Sequence, residues 1–212
     1  MQSLHIYLAG NIRKGPEESC EDVWTEGEMM FLEEHSQREL IFLNPASRSD
    51  DLSDQKSVFG RDLFQVYSSN LVLVDARSKR GLGVGAEMMF AKMNCIPVVA
   101  WLPYPSHYHR DSIHLLGQDV NAWIHPFVYN LCDFLAPSLQ SAVEWMNTTL
   151  SSPAFRPKGP EVLTGAIRHY LSTQLPRDEG MRSLVASSPY YQGVVDTLRC
   201  CHERKKCVSS PK

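Results

Sequence analysis

The chain has 212 residues, 43% of them hydrophobic and 21% charged, and its 24 acidic and 21 basic side chains leave a formal charge of −3. Such a length supports one α/β domain with a modest addition, and a core that needs no disulfide or metal staples. The slightly acidic balance, with no run of five or six like charges, speaks against non-specific binding to nucleic acid or to an anionic membrane.

No stretch reaches the roughly 18 apolar residues of a membrane span, and Met1-Gln2-Ser3-Leu4-His5 lacks the charged and apolar regions of a signal peptide. The cysteines at 20, 95, 132, 200, 201 and 207 include no C-x-x-C. A cytosolic protein with free thiols is therefore expected.

In chain order, His5-Ile6-Tyr7-Leu8-Ala9 is a run of β-formers stopped by Gly10, and Glu39-Leu40-Ile41-Phe42-Leu43 is another, stopped by Asn44-Pro45. Between them, residues 16–35 carry Val23, Trp24, Met30 and Phe31 at helical spacing behind Pro16. The pattern then repeats, with helices over 58–69 and 85–93 and strands over 71–74 and 96–101. Alternating strands and helices imply a parallel sheet covered on both faces. Past Trp101 the reading is a proline-containing, His-rich loop, a short edge strand near 127–131, and a helix over 137–148 with Leu139, Val143 and Met146 on one face. Residues 151–160 read as a linker, and 161–212 as two or three helices with a polar tail. The first 150 residues are the expected functional unit.

Ligands of an open parallel sheet bind outside the carboxyl ends of its strands. After the first strand comes Gly10-Asn11-Ile12-Arg13-Lys14-Gly15. Its glycines and cations suit a phosphate, though a plain solvated turn has the same composition. After the third comes Asp75, a basic loop, and Gly81-Leu82-Gly83-Val84-Gly85-Ala86-Glu87. The glycine spacing is wrong for a dinucleotide fingerprint, and the next strand ends in Trp101 rather than an acid. Glu87, in the first turns of a helix beside glycines that leave room for a substrate, is either a functional carboxylate or a complement to the helix dipole. Asp62, near the start of the preceding helix, has the same two readings. Two carboxylates near neighbouring strand ends suit glycosidic cleavage, one attacking the anomeric carbon and the other handling a proton. The histidines at 107, 109, 114 and 125 have no acid or cysteine at a recognised ligand spacing, and Cys200-Cys201-His202 with Cys207 lies in the tail. Neither is taken as a metal site.

Taken together, Ile6-Tyr7-Leu8-Ala9-Gly10-Asn11-Ile12-Arg13-Lys14-Gly15, Arg61-Asp62-Leu63, the strand from Asn70 to Asp75 and Leu82-Gly83-Val84-Gly85-Ala86-Glu87 resemble the nucleoside 2-deoxyribosyltransferase superfamily. They look most like its 2′-deoxynucleoside 5′-monophosphate N-glycosidase branch, over about residues 4–102. The resemblance implies a flavodoxin-like, Rossmann-like α/β fold, here with a C-terminal helical extension. It also implies a homodimer whose subunits close each other's pockets, and a small-molecule nucleotide or nucleoside as ligand, with no metal or other cofactor. Glu87 is by position the nucleophile on C1′, and Asp62 the partner carboxylate near the departing base. Tyr7 lines the sugar and base pocket, Gly10, Asn11, Ile12 and Arg13 form its floor and phosphate contact, Gly83 and Gly85 leave space, and Asp75 matches an acid of the transferases. Asn11 stands where the hydrolases usually have serine, and Gly81 where they have serine and the transferases commonly aspartate. Base exchange by a transferase, and a silent nucleotide-binding or sensing protein, are the alternative readings.

Overall fold

The computed structural model describes residues 3–12 and 23–208, with side chains through residue 199. Five strands make one all-parallel sheet: β1 (Leu4–Ala9), β2 (Leu40–Leu43), β3 (Leu71–Asp75), β4 (Val98–Trp101) and β7 (Phe134–Ala136), in the order β2-β1-β3-β4-β7. The expected parallel α/β sheet is therefore present. Because the chain leaves β1 toward β2 and returns on the other side as β3, the topological switch lies between β1 and β3, where a crevice opens at the strand ends.

Alternation along the strands sorts their side chains onto two faces. Leu4, Ile6 and Leu8 of β1 join Leu71, Leu73 and Val99 in a core closed by Leu32 of α1 (Glu26–His35) and by Ala142, Val143 and Trp145 of α5 (Leu139–Trp145). Tyr7, Val72 and Val74 alternate with these residues, beneath α2 (Gln55–Ser68) and α3 (Leu82–Met93). Thr25 starts α1 with a capping box, its hydroxyl accepting from Glu28 N while Glu28 accepts from Thr25 N. Trp24 thus precedes the helix instead of riding on it, and its indole N–H donates to Ala9 O at 3.2 Å. That ring lies against Gly10, where a Cβ would come within 3.1 Å of it and push it aside by a few tenths of an ångström, so the close approach favours glycine. The rest of the expected 16–35 helix, residues 16–22, lies outside the described residues.

The predicted edge strand at 127–131 is instead a helix, α4 (Pro126–Leu131), with Pro126 in its first turn and Val128 and Leu131 buried three residues apart. The edge strand is β7, three residues later. The His-rich loop folds into an antiparallel hairpin of β5 (His109–Leu115) and β6 (Gln118–Ile124), turning at Leu116 and Gly117, both at positive φ. After α5, a π-helical turn covers Met146–Leu150.

The chain divides into two units at 159/160. Residues 151–159, linker-like in composition, belong to the first: Phe155 packs edge-on against Trp145, and Lys158 N donates to Asp133 Oδ1 at 2.7 Å. The second unit consists of α6 (Glu161–Thr173), α7 (Glu179–Ser187) and α8 (Pro189–Val208) around Leu171, Leu175 and Val195. Among the described residues, no helix is long and apolar enough to cross a membrane.

Candidate active site

Three elements converge at the β1/β3 crevice. Tyr7, near the carboxyl end of β1, is completely buried, and its hydroxyl has no hydrogen-bond partner of full geometry among the described residues. Glu87 is its electrostatic neighbour. Burial first, and then the Glu87 charge, push the phenol far above the usual tyrosine range, and the contact with that carboxylate falls short of a well-formed hydrogen bond. An unpaired buried hydroxyl costs about 1–3 kcal/mol, so its retention at a strand end reads as functional.

Glu87 is the sixth residue of α3, in the second turn. The expectation that the helix N-terminus favours its ionised form is corrected here, because desolvation wins. Burial and the nearby charge of Asp62 outweigh the contact from Tyr7 and push the carboxyl up to about 7. α3 begins at Gly81 with no side-chain cap, and a Cβ on Gly83, one turn before Glu87, would lie 3.8 Å from Glu87 Oε1. Gly83 therefore keeps open the space beside the carboxylate. Gly85 lines a different space, an apolar cavity of about 110 Å³ on the α4 side of α3, with Gly81, Val84, Met88, Tyr108 and His125.

Asp62 is also deeper in its helix than the sequence reading had it. Asp54 caps α2, accepting from Ser57 N at 3.1 Å, and Asp62 is the eighth residue. A mid-helix acid does not complement the helix dipole, which removes the bland explanation for it. Burial raises its pKa, opposed by Arg48 and Arg61. Arg48, from the loop after β2, reaches Asp62 Oδ1 at 3.3 Å and forks onto Asp50, with Nε–Oδ1 2.8 Å and Nη2–Oδ2 2.6 Å. Sequence reasoning missed Arg48 and Asp50. The available signal was the Arg48-Ser49-Asp50-Asp51 run at a strand's carboxyl end.

Asp75, expected at the substrate, is fully buried, with Arg77 and Arg80 on it: Arg77 Nη2 at 2.9 Å and Arg80 Nη2 at 2.7 Å from Oδ2. Arg77 also pairs with Glu28 and lies 4.0 Å above the Trp101 ring. This knot anchors the loop that leads into α3. Gly10, Asn11 and Ile12 stand partly buried at the end of β1, while Arg13, with Lys14 and Gly15, lies outside the described residues. The tail cysteines are outside the described side chains, and among the described residues no group of three or more His, Cys, Asp or Glu could hold a metal.

A carboxyl titrating near neutrality, a second carboxylate coupled to it and a buried phenol can together carry nucleophilic attack with proton transfer. No family model matches the chain, and no curated protein matches it significantly.

Proposed function

We propose that the protein hydrolyses the N-glycosidic bond of a (2′-deoxy)nucleoside 5′-monophosphate, releasing the free base and the sugar phosphate. The observation that carries this reading is Glu87 held beside Tyr7 and Asp62 at the β1/β3 switch point, with its carboxyl raised to about 7. A Glu87 oxygen bonds to C1′ as the C1′–N bond breaks. The reacting form is the singly protonated pair with its proton on Asp62 and Glu87 ionised, so the bonding pair goes to the base nitrogen, which takes that proton, through an oxocarbenium-like transition state. Water then attacks C1′ of the glycosyl ester, returning a proton to Asp62 and freeing Glu87. Tyr7 steadies the Glu87 carboxylate, and Gly83 leaves the sugar room to approach it. The loop from Gly10 through Arg13 takes the 5′-phosphate.

A second copy of the chain closes the site. Phe64 and Tyr67 of α2, and Leu82 and Met93 of α3, are all more than half exposed. With Phe59 they present roughly 700 Å² of apolar side chain, close to one partner's share of a stable interface. Unpaired Cys95 and Cys132 accord with the cytosol.

The test is a panel of nucleosides and nucleotides, incubated with and without an acceptor base. Base and sugar phosphate released without an acceptor support the hydrolase. Turnover only with an acceptor makes the protein a deoxyribosyltransferase, and binding without turnover makes it a silent nucleotide sensor.

A further inference from the structure

The loop between β2 and α2 is tied to α2 by two arginines that alternate with two aspartates. Arg61 Nη2 donates to Ser47 O at 2.6 Å and Nη1 to Pro45 O at 3.4 Å, and its Nε lies 3.8 Å from Asp50 Oδ1. Arg48, with only 11% of its side chain exposed, is gripped at two points by Asp50 and spends its remaining terminal nitrogen on Asp62. Planar, two-point pairing of this kind fixes a guanidinium far better than a single contact does. Both cations meet Asp62 on the same atom: Arg48 Nη1 at 3.3 Å and Arg61 Nη1 at 3.5 Å from Oδ1. Oδ2 has no hydrogen-bond partner among the described residues.

We propose that Arg48 is a positioning residue that acts through Asp62: anchored by Asp50, it pins Oδ1, leaves Oδ2 as the oxygen that gives and takes the proton, and sets how readily Asp62 binds that proton. The charged and titratable groups facing Asp62 are Arg48 and Asp50 from the loop, Arg61 from its own helix, Glu87 from α3 and Tyr7 from β1. Of the two cationic charges, that of Arg48 does more to hold the carboxyl down against its burial. Removing that charge makes Asp62 easier to protonate. A protonated Asp62 no longer repels charge on Glu87, so Glu87 ionises more readily.

The catalytic consequence rests on the hydrolase reading, but the positioning itself can be read without activity. The titration of Asp62 is followed by carboxyl 13C NMR in the full chain, with its signal assigned by comparison with Asp62→Asn. In Arg48→Gln the midpoint rises by roughly 0.5–1 pH unit, and in Arg48→Lys, which keeps the charge, it stays near the parent's. Asp50→Asn releases the grip but also removes a negative charge that raises the Asp62 pKa, so its midpoint stays below that of Arg48→Gln. In the nucleotide assay, the acidic limb of kcat/KM, set by the more acidic Asp62, moves up with the midpoint in Arg48→Gln, and kcat falls roughly tenfold. Arg48→Lys keeps the limb while recovering only part of kcat. An unchanged midpoint in folded Arg48→Gln overturns the proposal. So does a loss of rate with an unmoved limb, which a merely structural arginine would give. If the parent turns over no nucleotide, the hydrolase reading fails while the titration still decides the role of Arg48.

Discussion

Helix α3 carries a buried ammonium at its C-terminal end and a partly buried carboxyl toward its N-terminal end, and the two are treated in opposite ways. Lys92, in the last turn, is completely buried; its ammonium hydrogen-bonds Asp133 Oδ2 and reaches Lys158 O at 3.2 Å. Asp133 is satisfied in turn, accepting from Val98 N and Lys158 N at 2.7 Å each. Burial lowers the Lys92 pKa, and the Asp133 carboxylate opposes it. At the other end Glu87 faces a phenol whose hydroxyl closes no full hydrogen bond and a carboxylate that repels it. The first arrangement staples β4, β7 and the segment around Lys158 to the helix. The second leaves polar groups poised, which a fold tolerates where a substrate supplies what is missing.

The largest effect should come from the poised end. Glu87→Gln should lower base release by at least about 10³-fold in a nucleotide assay, because the proposed nucleophile is gone while the shape remains. Its effect on stability has the opposite sign. The folded carboxyl titrates near 7 against 4.5 for the free side chain, so its contribution to stability is complete below pH 4.5 and is lost as the pH rises through 7. Glutamine carries no charge and escapes that loss. Urea melts should show Glu87→Gln equal to the parent near pH 4 and more stable by about 2–3 kcal/mol at pH 8.5.

Lys92→Met breaks the stapled end instead. It strands Asp133, whose side chain is 4% exposed, and should cost about 3–5 kcal/mol in denaturant, with kcat per folded molecule retained. A loss of kcat without a loss of stability would erase the distinction between the two ends.

Tyr7→Phe is milder. Removing a buried hydroxyl with no full partner should raise stability, by about 1–3 kcal/mol. It also withdraws the contact that lowers the Glu87 pKa, so the alkaline limb of kcat/KM, where the pair loses its last proton, moves up from near 7 by roughly half a pH unit. Smallest is Gly83→Ala. Alanine in the first turn of α3 adds about 0.4–1 kcal/mol of stability by reducing the freedom of the unfolded chain, while its methyl, 3.8 Å from Glu87 Oε1, crowds the sugar and raises KM several-fold.

The two ends also differ in how far the sequence announces them. Glu87 and Asp62 stand in motifs that place them at strand ends, and β1, β2, β3 and β4 are near-continuous apolar runs of the kind a doubly covered sheet requires. Arg48, held by Asp50, reaches Asp62 across a loop of turn-forming residues, and no local pattern encodes a contact 14 positions away. The hairpin was illegible for a related reason. His109–Leu115 and Gln118–Ile124 are exposed along most of both strands, so they lack the two-residue hydrophobic alternation that marks a half-buried sheet. α4 misled through its composition: Phe127, Val128 and Tyr129 are β-formers, and the buried pair Val128 and Leu131 is too short a stripe to outweigh them. The Lys92–Asp133 staple was invisible, since its partners come from segments brought together only by the closed sheet.

The central claim is that Glu87 bonds covalently to the sugar. Mixing the protein with a 2′-deoxynucleoside 5′-monophosphate, quenching in acid within milliseconds and mapping the peptides by mass spectrometry tests it directly. The account predicts a deoxyribose 5-phosphate adduct on the peptide containing Glu87, formed with release of the base and absent from Glu87→Gln. An adduct on another residue, or base release that continues undiminished in Glu87→Gln, would contradict it.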